Sequence, residues 1–317
     1  MVLKKSLFYA IFYAIIVFIF SLIIFPYYTN GDQRFYTPFY NFCLNNNHVL
    51  SEQFVCYKET IGSQEPIYFI LAKFFNFFSS KIFFSSFTNS VLFFLLVLLV
   101  LKYYKNIWHK HIFIIFLMLN FYMLALFFSV ERLKIGFLFI TLAFLFDGMK
   151  KYIFIFVSLI AHSQMVFLII PYIISIVVNS KIKFKFKLLY FFASLFFIYI
   201  FFYLIKDQIL YKLNIYYEEA LDSDMGIIAV LKTSFFIFLA SFIVRRKDPI
   251  IVGFPIIFMS YFLGSTRLGM MAFVVYLVYM IYLKRKMDFF LLMILCYYLY
   301  KSIGFINNVL IHGDGWV

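Results

Sequence analysis

The chain has 317 residues, of which 65% are apolar and only 13% are charged, and its net charge is +14. Soluble domains carry about half apolar and a quarter charged residues, so this composition excludes a soluble globular protein. The basic residues cluster at the ends of apolar blocks, which points to membrane topology as the origin of the charge and leaves nucleic acid out of the expected partners.

Long apolar blocks follow one another along the chain, and most could cross about 30 Å of hydrocarbon as a helix. We therefore predict an all-α, polytopic integral membrane protein with about ten or eleven transmembrane helices, which forms a single membrane domain over residues 1–317. The blocks are Ser6–Phe25, Ile82–Leu101, His111–Ser129, Leu133–Phe146, Tyr152–Ala161, Met165–Val178, Leu188–Ile205, Ile227–Val244, Pro249–Ser265, Leu268–Leu283 and Phe289–Ile306.

Basic clusters between the blocks indicate the orientation. If Lys4 and Lys5 are cytoplasmic, every cluster falls on the cytoplasmic side when the crossings are counted, as the positive-inside rule requires. We therefore predict a cytoplasmic N-terminus and a first block that is retained as a signal anchor. The clusters are Lys102/Lys105/Lys110, Lys150/Lys151, Lys181/Lys183/Lys185/Lys187, Arg245/Arg246/Lys247 and Lys284/Arg285/Lys286.

Two segments are predicted to be loops on the outer side, residues 26–81 and 206–226. Within the first, Pro26 to about Gln64 is too small for a core of its own, and Cys43 and Cys56 could form a disulfide in an oxidising compartment. Its last part, Pro66–Ser79, is too short to cross and carries Lys73, which favours an interfacial or re-entrant helix. In the second loop, Asp222–Ser223–Asp224 matches the DxD pattern of metal-dependent sugar transferases, but this spacing arises easily by chance in an acidic loop and is a weak signal.

A broken helix pair is predicted between Lys151 and Lys181, because both lysines fall inside and two full crossings need about 40 residues. The short helices would meet at His162–Gln164, and such a break is tolerated at membrane depth only inside protein or beside a wet cavity. His162 either bonds a freed backbone carbonyl or acts as a general base.

Several charges lie at the predicted outer helix ends, and each has a structural and a functional interpretation. Arg132 and Lys134 either reach the headgroups from a tight helical hairpin or bind an anionic group, with Gly136 opening room beside Arg132. Glu65 suits a helix start through the helix dipole or serves a site, and Arg267 either snorkels or binds. The sequence has no Walker loop, HExxH or Cys/His metal spacing, so we expect no metal and no cofactor.

Short motifs in a fixed order suggest a family. The order resembles the EpsG-like branch of the Wzy polysaccharide polymerases, which includes O-antigen and capsule polymerases, over roughly Ser6 to Pro171, and Arg267 extends the likeness. Leu133 and Gly136 depart from the Gln and Ala that are common there. The motifs are Asp–x–x–x–Tyr at Asp32 and Tyr36, Glu–Pro at Glu65 and Pro66, the helix-opening Arg132, and Ala–His–Ser at Ala161, His162 and Ser163.

The resemblance implies an enzyme that joins oligosaccharide repeat units carried on undecaprenyl diphosphate at the periplasmic face of the bacterial inner membrane. A chain-length regulator and a flippase would be partners besides the lipid bilayer. Cations must stabilise the leaving diphosphate, for which Arg132, Lys134 and Arg267 are candidates. His162 is the first candidate for the base that takes the acceptor proton, with Glu65 and Asp32 second. Arg34 and Tyr36 are expected to bind substrate together with Lys134 and Arg267.

Three other functions stay open at this point. An O-antigen ligase-like transferase would use the same donor, although ligases usually have a larger outer loop than Lys206–Gly226. A flippase or transporter of lipid-linked oligosaccharides would need charges along a central path, and the predicted helix centres have almost none. An assembly partner without chemistry would not explain so many outward charges in this order.

Overall fold

The computed structural model describes residues 2–44, 49–62, 64–104, 107–179, 225–263, 265–281 and 289–316, together with Tyr199, Tyr203 and Lys206. Over these residues the regular elements are all helical. They divide into two compact units, of which the first comprises residues 1–165 and 285–317 and the second residues 166–284. The DxD pattern and most of the predicted second outer loop lie outside the described residues.

The first unit carries ten helices within the described ranges, and short 3₁₀ turns at Phe25–Tyr27 and Ser163–Met165 and a π turn at Phe39–Cys43 accompany them. The helices are α1 (Val2–Ile24), α2 (Gln33–Pro38), α3 (Leu50–Ile61), α4 (Pro66–Phe78), α5 (Lys81–Tyr103), α6 (Ile107–Met118), α7 (Phe121–Phe128), α8 (Glu131–Leu145), α9 (Met149–Ala161) and α14 (Phe289–His312). The second unit carries α10 (Val166–Asn179), α11 (Met225–Val244), α12 (Asp248–Leu263) and α13 (Ser265–Tyr279).

Helices of membrane-spanning length confirm the membrane class. Four apolar stretches within the described ranges can cross a bilayer, and α6 and α7, bent by 50°, make a fifth if they form one span. The other apolar helices, with 10–17 residues, are shorter than the roughly 20 that a crossing needs. The chain is thus a helical membrane protein, while ten or eleven crossings stay a prediction. The four stretches are Lys5–Tyr27, Lys81–Tyr103, Gly226–Val244 and Phe289–His312.

Within the first unit, α5 runs antiparallel to α1. The Lys81 ammonium, at the start of α5, lies 5.9 Å from the ring of Phe25, which follows α1. Further along, the Ser90 hydroxyl donates to the carbonyl of Ala14 at 2.8 Å. Each helix therefore begins beside the end of the other.

Lysines gather at one end of this unit, which we call the Lys102 end. The Lys102 ammonium donates to the carbonyl of Leu145, the last residue of α8, at 3.2 Å. Nearby in the bundle, the Tyr13 hydroxyl lies 3.1 Å from Nδ1 of His111 on α6. The N-terminal half of α1, the end of α5, the start of α6 and the end of α8 consequently share this end.

The opposite end, which we call the Tyr28 end, joins the chain after α1 to the chain after α14. The backbone N–H groups of Thr29 and Asn30 both donate to the carbonyl of Gly313, at 3.0 and 2.8 Å. The Tyr28 hydroxyl donates to the Asp314 carboxylate at 3.1 Å. Helix α14 therefore runs parallel to α1 and ends on the same side.

The residues that follow α1 pack against the long helices in one aromatic core at the Tyr28 end. A disulfide joins Cys43 and Cys56, whose Cα atoms are 5.4 Å apart, and closes this segment on itself. Half of the twelve buried members belong to α4, α5, α8 and α9, so residues 26–64 share one core with these helices. The buried members are Tyr36, Phe39, Tyr40, Cys43, Leu44, Tyr57, Tyr68, Phe69, Ala72, Phe84, Ile135 and Ala161.

Candidate functional site

The site begins with Glu65, which directly precedes α4. Pro66 fixes the first turn of this helix, since its ring sets φ and its missing N–H is not needed there. Glu65 is the N-cap residue, yet its side chain makes no capping hydrogen bond. It is buried, with 4% of its surface exposed. The carboxylate therefore turns away from its own helix and serves contacts elsewhere.

Arg132, in the first turn of α8, is the cation that meets this carboxylate. Its Nη1 lies 2.8 Å from Glu65 Oε2, and both side chains are more than nine-tenths buried. The guanidinium Nε donates to the hydroxyl of Tyr36 at 3.1 Å. Removing one partner from such a buried ion pair costs about 3–5 kcal/mol, because the other charge is left unpaired.

His162 reaches the other oxygen of Glu65 from the predicted helix break. Helix α9 ends at Ala161, His162 has an extended backbone, and a 3₁₀ turn follows before α10, which confirms the break at the predicted residues. The ring Nδ1 lies 2.6 Å from Glu65 Oε1. The backbone N–H and the hydroxyl of Ser163 donate to the same oxygen, each at 3.3 Å.

The Glu65 contact sets which nitrogen of His162 can act as a base. A lone pair on Nδ1 would be repelled by the carboxylate 2.6 Å away, so the proton of a neutral ring belongs on Nδ1 and its lone pair on Nε2. That nitrogen lies 3.3 Å from Oε1 of Gln164, so it serves as an acceptor when the Gln164 amide turns its NH₂ group toward the ring. His162 is buried, with 3% of its surface exposed. With Gln164 in that orientation, the Glu65 contact favours the tautomer that accepts through Nε2.

Tyr36 was expected to bind substrate, and the structure places it in the same buried cluster. Burial raises the pKa of its phenol to about 12, although the charge of Arg132 works in the opposite direction. The phenol is therefore protonated at neutral pH and accepts from Arg132 as a neutral group. Asp32, half-buried at the start of α2, also raises the pKa of Tyr36 through its negative charge.

A second buried carboxylate, Glu131, lies beside this cluster but bonds neutral partners. The Tyr68 hydroxyl donates to Glu131 Oε2 at 2.7 Å, and the Gln33 amide donates to Oε1 at 3.1 Å. The sequence motifs predict no role for Glu131, Tyr68 or Gln33. The only available signals were the position of Glu131 next to Arg132 and of Gln33 next to Asp32.

Lys134 lies apart from Arg132, although both open the same helix. Its ammonium donates to Asn89 Oδ1 at 2.7 Å and to the carbonyls of Ser85 and Phe127 at 3.4 and 3.3 Å. These acceptors are neutral oxygens on α5 and α7. The two cations of the predicted anion site consequently have different partners in this structure.

Two candidates remain, Arg34 and Arg267. The exposed Arg34 stacks its guanidinium on the ring of Phe35, 4.8 Å from the centroid. Arg267 is half-buried on α13 in the second unit. Within the described ranges, no group of three His, Cys, Asp or Glu residues is arranged to hold a metal ion.

Gly136 faces the helix break rather than an open space beside Arg132. A methyl group at this position would lie 2.7 Å from Met165 Cγ and 3.3 Å from His162 Cβ. The Ser158 hydroxyl also donates to the carbonyl of Gly136 at 2.8 Å. The absent side chain lets the end of α9 approach α8, which brings His162 to Glu65.

Substituting Gly136 with alanine is expected to lower the free energy of unfolding by up to about 2 kcal/mol, because overpacking against Met165 costs about 1–3 kcal/mol and outweighs the gain of about 0.5–1 kcal/mol that alanine brings within a helix. Thermal unfolding of the detergent-purified protein measures the change. The matched control is Gly304→Ala on α14, where a methyl meets nothing within 4 Å, and where alanine favours the helix by about 0.5–1 kcal/mol. Equal unfolding temperatures for the two variants would contradict this account of Gly136.

Comparisons with known proteins identify no relative of this chain. No family model matches the chain, and no curated protein or solved structure matches it either. The class is therefore set by fold and site alone, as a helical membrane protein with a buried cluster of Tyr36, Glu65, Arg132 and His162 at one end of its long helices.

Proposed function

We propose that this protein is a membrane glycosyltransferase that polymerises undecaprenyl-diphosphate-linked oligosaccharide repeat units into O-antigen or capsular polysaccharide. The observation that carries the proposal is that Tyr36, Glu65, Arg132 and His162, which the motif order of the EpsG-like polymerases singles out, meet in one buried cluster of polar contacts. These residues are far apart along the chain. Their meeting in space is what a shared site requires.

The distribution of charge supports an active side that faces the periplasm of a bacterial inner membrane. The Lys102 end also receives the start of α9, where Lys150 lies 5.8 Å from the ring of Phe146. By the positive-inside rule, this lysine-rich end belongs in the cytoplasm and the Tyr28 end outside. The disulfide between Cys43 and Cys56, at the Tyr28 end, suits an oxidising compartment.

The chemistry needs a base and a cation, and the cluster supplies both. The acceptor hydroxyl oxygen would bond to the anomeric carbon of the donor chain while its proton passes to Nε2 of His162. The bond from that carbon to the diphosphate oxygen would break, and its electron pair would leave on undecaprenyl diphosphate. Arg132 would stabilise the charge of this leaving group, and Glu65 the charged imidazole.

Deletion of the gene with complementation tests the proposal through the length distribution of the surface polysaccharide. The deletion should leave single repeat units, either transferred to lipid A or accumulated on the carrier lipid, and the intact gene should restore long chains. Persistence of long chains on lipid A in the deletion strain would refute the polymerase function. Long chains that remain on the carrier lipid would indicate a ligase-like transferase, and repeat units trapped on the cytoplasmic side a flippase.

A further inference from the structure

The cation that would bind the donor diphosphate already holds an internal anion. Nη1 of Arg132 is occupied by Glu65 Oε2, and Nε by the hydroxyl of Tyr36. Only 7% of the surface of Arg132 is exposed. A phosphate group that used the guanidinium fork at Nη1 would therefore have to take the place of the Glu65 oxygen.

We propose that Glu65 is an exchangeable anion, which a diphosphate group displaces from Arg132 when it binds. The inference rests on the proposed function, because it names the event by which donor binding would open that same cluster. Phosphate oxygens suit the planar guanidinium as well as a carboxylate does. A diphosphate also brings more negative charge than Glu65, so the exchange leaves Arg132 compensated.

The displaced carboxylate keeps its other contacts. Oε1 of Glu65 remains 2.6 Å from Nδ1 of His162 and keeps the hydrogen bonds from the N–H and hydroxyl of Ser163. Once Arg132 no longer neutralises it, the Glu65 carboxylate acts on His162 as an uncompensated negative charge. A nearby opposite charge favours the protonated form of a base. Binding of the leaving group at Arg132 and proton uptake by His162 would thus be coupled through one carboxylate.

The neighbouring carboxylate provides a matched control for this exchange. Glu131 is also buried and precedes Arg132 directly, but its two oxygens accept from Tyr68 and Gln33. Its conversion to glutamine removes the same charge from the same region without freeing Arg132. A purely electrostatic effect of lost negative charge would therefore be shared by both glutamine variants, and a local exchange would not.

The test measures binding of inorganic pyrophosphate to the full-length protein in detergent by isothermal titration calorimetry. The Glu65→Gln variant is expected to bind pyrophosphate about tenfold more tightly than wild type does, because a neutral glutamine competes with pyrophosphate for Arg132 less strongly than a carboxylate does. The Glu131→Gln variant is expected to bind as wild type does. An unchanged affinity for Glu65→Gln, or an equal gain for both variants, would overturn the exchange.

Two further arms complete the test. If Glu65→Gln is not monodisperse, Glu65→Asp replaces it, because a carboxylate one methylene shorter holds Arg132 less closely and should also raise the affinity; unchanged affinity overturns the exchange. Farnesyl diphosphate should bind more tightly than pyrophosphate if the natural ligand is a lipid-linked diphosphate. Equal affinity would mean that the natural ligand is a soluble diphosphate and would overturn the lipid-linked one. These assays form no polymer, so their outcome is independent of the deletion phenotype.

Discussion

Replacement of Arg132 by lysine is expected to slow polymer extension by about two orders of magnitude, the loss typical of removing one group that stabilises a developing negative charge. Lysine keeps a positive charge opposite Glu65, so the buried carboxylate stays paired and the protein should fold. An ammonium has no planar fork, however, and cannot repeat the geometry that contacts Tyr36 and Glu65 together. The rate is measured in membranes supplied with lipid-linked repeat units and normalised to protein level.

Arg246→Lys is the matched control for this change. The Arg246 side chain is 58% exposed and lies 3.7 Å from Asp248. A surface pair of this kind contributes little, so the control should extend chains at the wild-type rate. Wild-type extension by Arg132→Lys would contradict the role of Arg132. Alanine at position 132 is a poorer test, because the unpaired Glu65 would cost about 3–5 kcal/mol and confound activity with folding.

The features that the sequence predicted well are those that local chemistry decides. Pro66 can begin a helix but cannot continue one, and α4 begins there. The break at His162 followed from counting residues between Lys151 and Lys181 against the thickness of a bilayer. Both predictions depend only on the neighbouring chain, and Glu65, directly before Pro66, and His162 both belong to the buried cluster.

The partners of the charged residues depend on packing between distant segments, which a single sequence does not contain. Arg132 and Lys134 share one helix start, yet one meets Tyr36 and Glu65 and the other meets Asn89 on α5. Which oxygen lies near each cation depends on how α5 and the chain after α1 pack around α8.

Composition alone does not determine the number of membrane-spanning helices. The block Leu133–Phe146 has the composition of a crossing, and the structure gives α8 with 15 residues. Such a helix extends about 22 Å, less than the hydrocarbon thickness of about 30 Å. Composition reports which residues avoid water, and it does so equally for a full crossing and for a shorter helix buried among others.

Replacement of His162 by asparagine is expected to reduce the rate of chain extension by about 100-fold or more, the usual contribution of a general base. The asparagine amide keeps an N–H donor near the position of Nδ1, so the contact with Glu65 can persist. It has no group that takes up a proton at neutral pH in place of Nε2. Protein level and unfolding temperature should stay close to wild type while the extension rate falls.

The control is His111→Asn, which changes a histidine at the Lys102 end that bonds Tyr13. This variant should extend chains normally, because it is remote from the cluster of Tyr36, Glu65, Arg132 and His162. If His162→Asn also extends chains normally, His162 is a structural residue at the helix break, and Glu65 or Asp32 becomes the candidate base. A loss of both activity and thermal stability in His162→Asn would likewise contradict a specific catalytic role, because it would show that the ring mainly holds the break together.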